Sequence, residues 1–172
     1  MEIQTARLKM AQITNRDWEL FEELNRDPAV INLCFDEPEP SEIKAKFESS
    51  LPLWCKASEH WLCLTMTILE TGEKIGITGF RFIDNIAEVG YLILPKYHGV
   101  GFGTESLKAL INWASNEQKI RTFSAVVTEG NISSEKVLIK SGFSLREIVP
   151  NNYAIGGELY ADRIYIIENI AT

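Results

Sequence analysis

The stretch Pro95-Lys96-Tyr97-His98-Gly99-Val100-Gly101-Phe102-Gly103-Thr104 decides how this chain is read. Three glycines stand at alternate positions, after an apolar run and before an amphipathic one. That order is strand, tight turn and helix N-terminus. The backbone N–H groups of such a turn converge on one point, and the helix dipole adds partial positive charge there. A Cβ would obstruct either positive φ angles or the close approach of a ligand, so glycine is required. The turn is suited to cradle a pyrophosphate.

Working outward, hydrophobic periodicity places the turn in an α+β domain. Residues 7–10 alternate as a first strand. Thr14 or Asn15 caps a helix carrying Trp18, Phe21 and Leu24. Asp27-Pro28 breaks it, a short helical turn reaches Ile31, and residues 36–42 form an acidic, proline-bearing loop. Ile43, Phe47, Leu51 and Trp54 recur at helical spacing, with Pro52 a point of kink or stop. Residues 61–69, 74–82 and 88–94 form an antiparallel meander, in which Gly76 and Gly79 imply irregular pairing. After the glycine turn come a helix over 104–115 with Leu107, Leu110, Ile111 and Ala114 facing inward, and a strand over 122–128. A helix then runs from its cap Asn131 to Ser141 and stops at Gly142. Strands over 143–149 and 159–168 follow, with a polar loop between them. No repeat or linker divides residues 1–172, which read as a single domain.

The 172 residues are 45% hydrophobic, enough for a real core. The net charge of −7 disfavours nucleic acid as a partner. It leaves room for a polyanion held on backbone amides, and it favours a cationic acceptor. No apolar run has the length of a membrane span, and the first residues lack a signal-peptide pattern, so cytoplasmic residence without a membrane partner is expected. Cys34, Cys55 and Cys63 are odd in number and lack metal-site spacing. They are expected to be reduced thiols, two or three of them buried, with no metal.

Two common phosphate loops fail on spacing. A dinucleotide fingerprint is G-x-G-x-x-G within parallel βαβ units, whereas this turn is G-x-G-x-G after an antiparallel meander. A P-loop needs Lys followed by Ser or Thr after its last glycine, and here Thr104-Glu105 follows Gly103. His98-Gly99-Val100-Gly101-Phe102-Gly103 instead resembles the acetyl-CoA loop of the GNAT N-acetyltransferases, Gln/Arg-x-x-Gly-x-Gly/Ala. Glu88-Val89-Gly90-Tyr91-Leu92-Ile93-Leu94-Pro95 is similar to a strand typical of the branch that acetylates ribosomal-protein N-termini. Asn131-Ile132-Ser133-Ser134 with Lys140-Ser141-Gly142-Phe143, and the opening Thr5-Ala6-Arg7-Leu8, resemble further segments of that family in the same order.

The resemblance implies a central, mixed, mostly antiparallel, splayed sheet flanked by helices. It implies that the pyrophosphate of CoA lies on the amides of Gly99, Val100, Gly101, Phe102, Gly103 and Thr104. The pantetheine arm would pair with the backbone near Tyr91 and Ile93, as an added strand. Asn131 would stand near the pantetheine and Ser134 near the sulfur. His98 departs from the usual Gln or Arg and retains a donor for phosphate. Leu138 replaces the tyrosine that protonates the leaving thiolate in many members, leaving Ser134 or a water for that part. Glu88, on the strand beside the thioester, is the candidate base; the other reading is a residue that orders the loop or binds the acceptor amine.

The expected reaction is direct transfer from acetyl-CoA to a primary amine. A lysine-type amine is only about one part in a thousand neutral near pH 7.4, whereas an α-amine is about a quarter neutral and needs little help from a base. A protein or peptide N-terminus is therefore the preferred acceptor. A small-molecule amine (a polyamine or antibiotic), a longer acyl-CoA, and a non-catalytic acyl-CoA-binding module remain as alternatives. The protein is expected as a monomer or homodimer. His60 reads as a strand-entry residue. Glu158 and Tyr160 fall in the final hairpin, which the resemblance places near the acceptor side. Trp18, Trp54, Trp61 and Trp113 read as core or partly buried packing.

Overall fold

The computed structural model describes residues 1–168. Its strands are β1 (Glu2–Gln4), β2 (Leu8–Gln12), β3 (Leu62–Ile68), β4 (Lys74–Ile83), β5 (Ile86–Ile93), β6 (Thr122–Thr128), β7 (Ser144–Ile155) and β8 (Glu158–Ile167). Its helices are α1 (Trp18–Arg26), α2 (Pro28–Ile31), α3 (Pro40–Ser49), α4 (Phe102–Glu117) and α5 (Ile132–Lys140). All eight strands join one sheet in the order β1-β2-β3-β4-β5-β6-β8-β7. Every neighbouring pair is antiparallel except β5 and β6. The α+β class and the mostly antiparallel sheet agree with the sequence reading.

Alternation along the strands feeds two cores. Leu62, Leu64, Phe80 and Val89 pack with Leu107, Leu110 and Ala114 of α4 and Leu138 of α5. Cys63 and Ile77, on the other face, pack with Phe21, Leu24, Ile31, Ile43 and Phe47 of α1 to α3. The periodic set Ile43, Phe47, Leu51, Trp54 does not lie on one helix. The helix ends at Ser49, ahead of Pro52, and Trp54 crosses to the first core, edge-on to Phe80 and Trp113. The helix also starts earlier than expected, inside the acidic loop. Pro40 takes the first helical position, and Glu39 and Glu42 close a reciprocal capping box.

Three further expectations are corrected. The segment Glu2–Gln4 forms an edge strand that its three residues did not signal. The polar loop expected between the last two strands is strand. β7 runs on to Ile155, with register shifts between Leu145 and Glu147 and between Val149 and Tyr153, and it turns at Gly156 and Gly157, both at positive φ. Pro150 is tolerated there because β7 is the edge strand and owes no outward N–H bond. Of the cysteines only Cys63 is fully buried; Cys34 is half-buried and Cys55 exposed, and all three are free thiols.

Both glycines of β4 stand where a Cβ would strike a backbone carbonyl, that of Leu92 in the case of Gly76. The register shift at Met66/Thr67 lies opposite Gly76 and Lys74. Gly79 pairs regularly with Cys63, but a Cβ there would enter the carbonyl oxygen of Leu62. Among the described residues, no helix is long and apolar enough to cross a membrane.

Candidate active site

The parallel pairing of β5 with β6 is short. It runs from Ile86↔Thr122 to Glu88↔Ser124 and then ceases, so the strands part beyond Glu88. On its other edge β5 stays paired with β4 as far as Ile93↔Gly76. Leu94 N–H donates to the Ile75 carbonyl at 2.9 Å, which orients the even-numbered residues of β5 toward β4. Alternation then turns the backbone groups of Tyr91 and Ile93 toward the gap, where no strand lies beside them. The gap holds a cavity of about 310 Å³.

The glycine turn follows the end of β5, and none of its residues lines the cavity. A 3-10 turn over Pro95–Tyr97 leads through His98 to Gly99 (φ 76°) and Gly101 (φ 91°), and α4 begins at Phe102, two residues earlier than expected. Gly99, Val100 and Gly101 are exposed, while Phe102 and Gly103 are buried and Thr104 is half-buried in the first helical turn. Gly103 serves contact rather than conformation. A Cβ there would press on Val137 of α5 at 3.3 Å and Ile93 of β5 at 3.4 Å. His98 Nε2 lies 2.6 Å from the Ile93 carbonyl oxygen. That nitrogen therefore carries the hydrogen, and the Nδ1 edge is left for other partners.

The turn is clamped from the N-terminal end of the chain. Arg7 Nε donates to Glu105 Oε2 at 2.6 Å, its Nη1 donates to the Val100 carbonyl at 3.0 Å, and its guanidinium lies 4.4 Å from the centre of the Phe102 ring. The Thr5 hydroxyl and the Arg7 N–H donate to Glu105 Oε1 at 2.6 and 3.0 Å. Burial raises the Glu105 pKa, but the Thr5 and Arg7 bonds outweigh it and hold the carboxyl below its ordinary range. In the sequence, Thr5-Ala6-Arg7-Leu8 carries no sign of this task. Nothing local signals a contact that spans nearly a hundred residues.

On the cavity wall, the Asn131 side-chain oxygen accepts from the Ser134 N–H at 3.2 Å and so caps α5, while its amide donates to Cys34 Sγ at 3.8 Å. The Tyr91 hydroxyl donates to the Ser134 carbonyl at 3.1 Å. Burial pushes the Tyr91 phenol above its ordinary value, so it stays a donor. Leu138 is fully buried and lines the cavity. Glu88 stands where the strands part, one residue before the lining residues Val89 and Gly90 and opposite Arg81 in the ladder. Beyond these, the cavity runs on to the face of α1 and α3, where Asn25, Lys46, Trp61 and Cys63 line it. Asp36, in the acidic loop, accepts from the Gly156 N–H at 2.7 Å and ties that loop to the tip of the last hairpin. His60 faces the Trp61 carbonyl at the entry to β3, and Tyr160 donates to Glu158 on the hairpin.

The donor side fits CoA on this geometry. Two positive-φ glycines open the turn, space around Gly99 is clear, helix N–H groups face outward, and an unpaired strand edge leads away from it. Comparison with known proteins agrees. The acetyltransferase (GNAT) domain profile matches residues 7–144. An uncharacterized N-acetyltransferase of Bacillus subtilis is 28% identical over 101 residues, 57% of each chain, so the match spans little more than half of that relative. A ribosomal-protein alpha-N-acetyltransferase solved with coenzyme A superposes with a TM-score of 0.86 at 17% identity, over 100% of both chains. A spermidine N-acetyltransferase from Vibrio cholerae, solved with CoA and spermine, gives 0.82 at 15% identity over 96% of this chain and 97% of that one. These structures share the fold, and with the profile spanning most of its length this chain belongs to the GNAT acetyltransferase family.

Proposed function

We propose that this protein transfers an acetyl group from acetyl-CoA directly to a primary amine, with a peptide or protein N-terminal α-amine as the acceptor class. The observation that carries this reading is the parting of β5 from β6 after Glu88, on the strand that leads into the glycine turn. The turn amides from Gly99 to Thr104 hold pyrophosphate, with Arg7 and Glu105 fixing their aim. The outward groups of Tyr91 and Ile93 pair with the pantetheine arm, and Asn131 flanks it. Acetyl-CoA supplies the activated acyl carbon and a thiol leaving group. The N–H groups on the β5 edge are the donors available to the acyl oxygen. Glu88 takes the amine proton, through water if need be, and Ser134 stands on the cavity wall as the group that returns one to sulfur. An α-amine is about a quarter neutral at pH 7.4, so a weakly placed carboxylate suffices as base.

The test is CoA thiol release with a panel of N-terminal peptides, lysine side-chain peptides and polyamines, followed by mass spectrometry of the products. Acetylated α-amines are expected; faster acetylation of lysine side chains or polyamines overturns the acceptor class. One observation favours a second reading, a non-catalytic acyl-CoA-binding module: Leu138 fills the place of the usual proton-donating tyrosine. CoA binding without thiol release across the panel would establish it.

A further inference from the structure

On the transfer reading above, we infer that the acceptor is an α-amine accompanied by a carboxylate, and that Lys46 and Asn25 are the residues that select it. The cavity beyond the parted strands does not end at the donor. It reaches α1 and α3, where Asn25 and Lys46 stand among apolar residues that include Phe21, Phe35 and Trp61, with Ser50 and Thr78 also on the wall. Asn25 is 1% exposed; its amide donates to the Phe21 carbonyl at 2.8 Å, and its Oδ1 has no partner. A buried oxygen of that kind calls for a donor from a ligand, and an amine N–H supplies one.

Lys46 is exposed on α3 and lines the cavity, and its ammonium lies 5.3 Å from the centre of the Phe35 ring. Among the described residues no carboxylate pairs with it. Desolvation lowers its pKa, partly opposed by the neighbouring Cys63. The acids of the adjoining loop are engaged elsewhere. Asp36 holds the Gly156 N–H, and Glu37 pairs with Arg26 at 3.0 Å. A carboxylate on the ligand would give this ammonium the counterion that no described residue supplies. A polyamine would place a second cation beside it, which a low-dielectric wall penalises.

The shared chemistry is a primary α-amine with a carboxylate a few bonds away. A free amino acid provides it through the α-carboxylate, and a peptide through an N-terminal Asp or Glu side chain. In the reaction the amine nitrogen bonds the acetyl carbon, the carbon–sulfur bond breaks, and the proton lost by nitrogen ends on the CoA thiol.

The experiment compares kcat/KM for three groups of acceptors. These are amidated peptides beginning with Asp or Glu against the same peptides beginning with Asn or Gln, free amino acids against their amides, and spermidine. The wild type is expected to favour the carboxylate-bearing partner of either pair by about tenfold or more. Whichever pair shows the preference identifies the source. Lys46→Met is expected to erase that ratio, and Lys46→Glu to reverse it; because each ratio is internal, partial loss of folding cancels. Equal use of both partners in every pair, better use of spermidine, or an unchanged ratio in Lys46→Met overturns the inference while leaving acetyl transfer standing. Absence of thiol release with every amine overturns the transfer reading, and the inference with it.

Discussion

The Tyr91 hydroxyl donates to the Ser134 carbonyl at 3.1 Å, joining the strand on one wall of the cleft to the helix on the other. This bond spans the gap at the depth where β5 and β6 have already parted. Tyr91→Phe keeps the ring and removes the tether. A loss of about 1 kcal/mol in urea unfolding is expected, with weaker acetyl-CoA binding by calorimetry. An unchanged affinity would make the bond a matter of folding alone.

Gly101→Val forces a side chain into φ 91°, with its Cβ 3.4 Å from Arg7 Nη2. The local cost is about 1–2 kcal/mol, small enough for the far-ultraviolet circular dichroism to stay native. CoA affinity is expected to fall by about tenfold or more as the amides lose their common aim. Glu105→Gln, which loosens the same clamp, is expected to give a smaller loss. The sign of the pH effect follows from the lowered Glu105 pKa. Its contribution is complete above the ordinary carboxylate range and is lost as pH falls through the lower, folded value. Measured donor affinity is therefore expected to stay flat from pH 7 down to the ordinary carboxylate range, and the wild type converges on Glu105→Gln only below it.

The fold and the donor side were legible to different degrees for a physical reason. The glycine turn, its helix and the Asn131 cap are local devices, written in residues a few positions apart, and they stand where the periodicity places them. The Arg7–Glu105 clamp joins segments nearly a hundred residues apart, and no local pattern encodes it. Asn25 and Lys46 look like ordinary polar positions of amphipathic helices; only the meeting of those helices over the cleft gives them a common cavity. Pro150-Asn151-Asn152 carries the punctuation of a loop, yet an edge strand absorbs it as an irregularity and resumes pairing at Tyr153↔Tyr160. The helix stops ahead of Pro52, one of the two outcomes that proline allows, and spacing alone does not show that Trp54 has crossed to the other core.

Glu88→Gln is expected to lower kcat while leaving acetyl-CoA affinity nearly unchanged, because the residue lies beside the cleft and outside the turn. Turnover measured over pH 6–9 checks it. A profile identical to the wild type assigns Glu88 a structural part opposite Arg81.

The three thiols differ enough to be ranked by alkylation and peptide mapping. The Ser58 hydroxyl lowers the pKa of exposed Cys55, so Cys55 reacts first. Burial raises the Cys34 thiol, and burial pushes Cys63 up to about 12, so Cys63 is expected to be inert at pH 8. Cys34 lines the cavity beside Asn131, and CoA is expected to slow its modification without affecting Cys55. Equal protection of both would place CoA elsewhere.

The interrupted ladder between β5 and β6 also bears on folding. A sheet that stops pairing midway leaves part of its own cohesion to whatever fills the gap, so occupancy and folding become one equilibrium. A donor at a hundredfold excess over its Kd adds about 2.7 kcal/mol to the native state, or roughly 5–10 °C in Tm for a chain of this length. The protein is then hardest to unfold when acetyl donor is plentiful, and its melting temperature reads the donor supply.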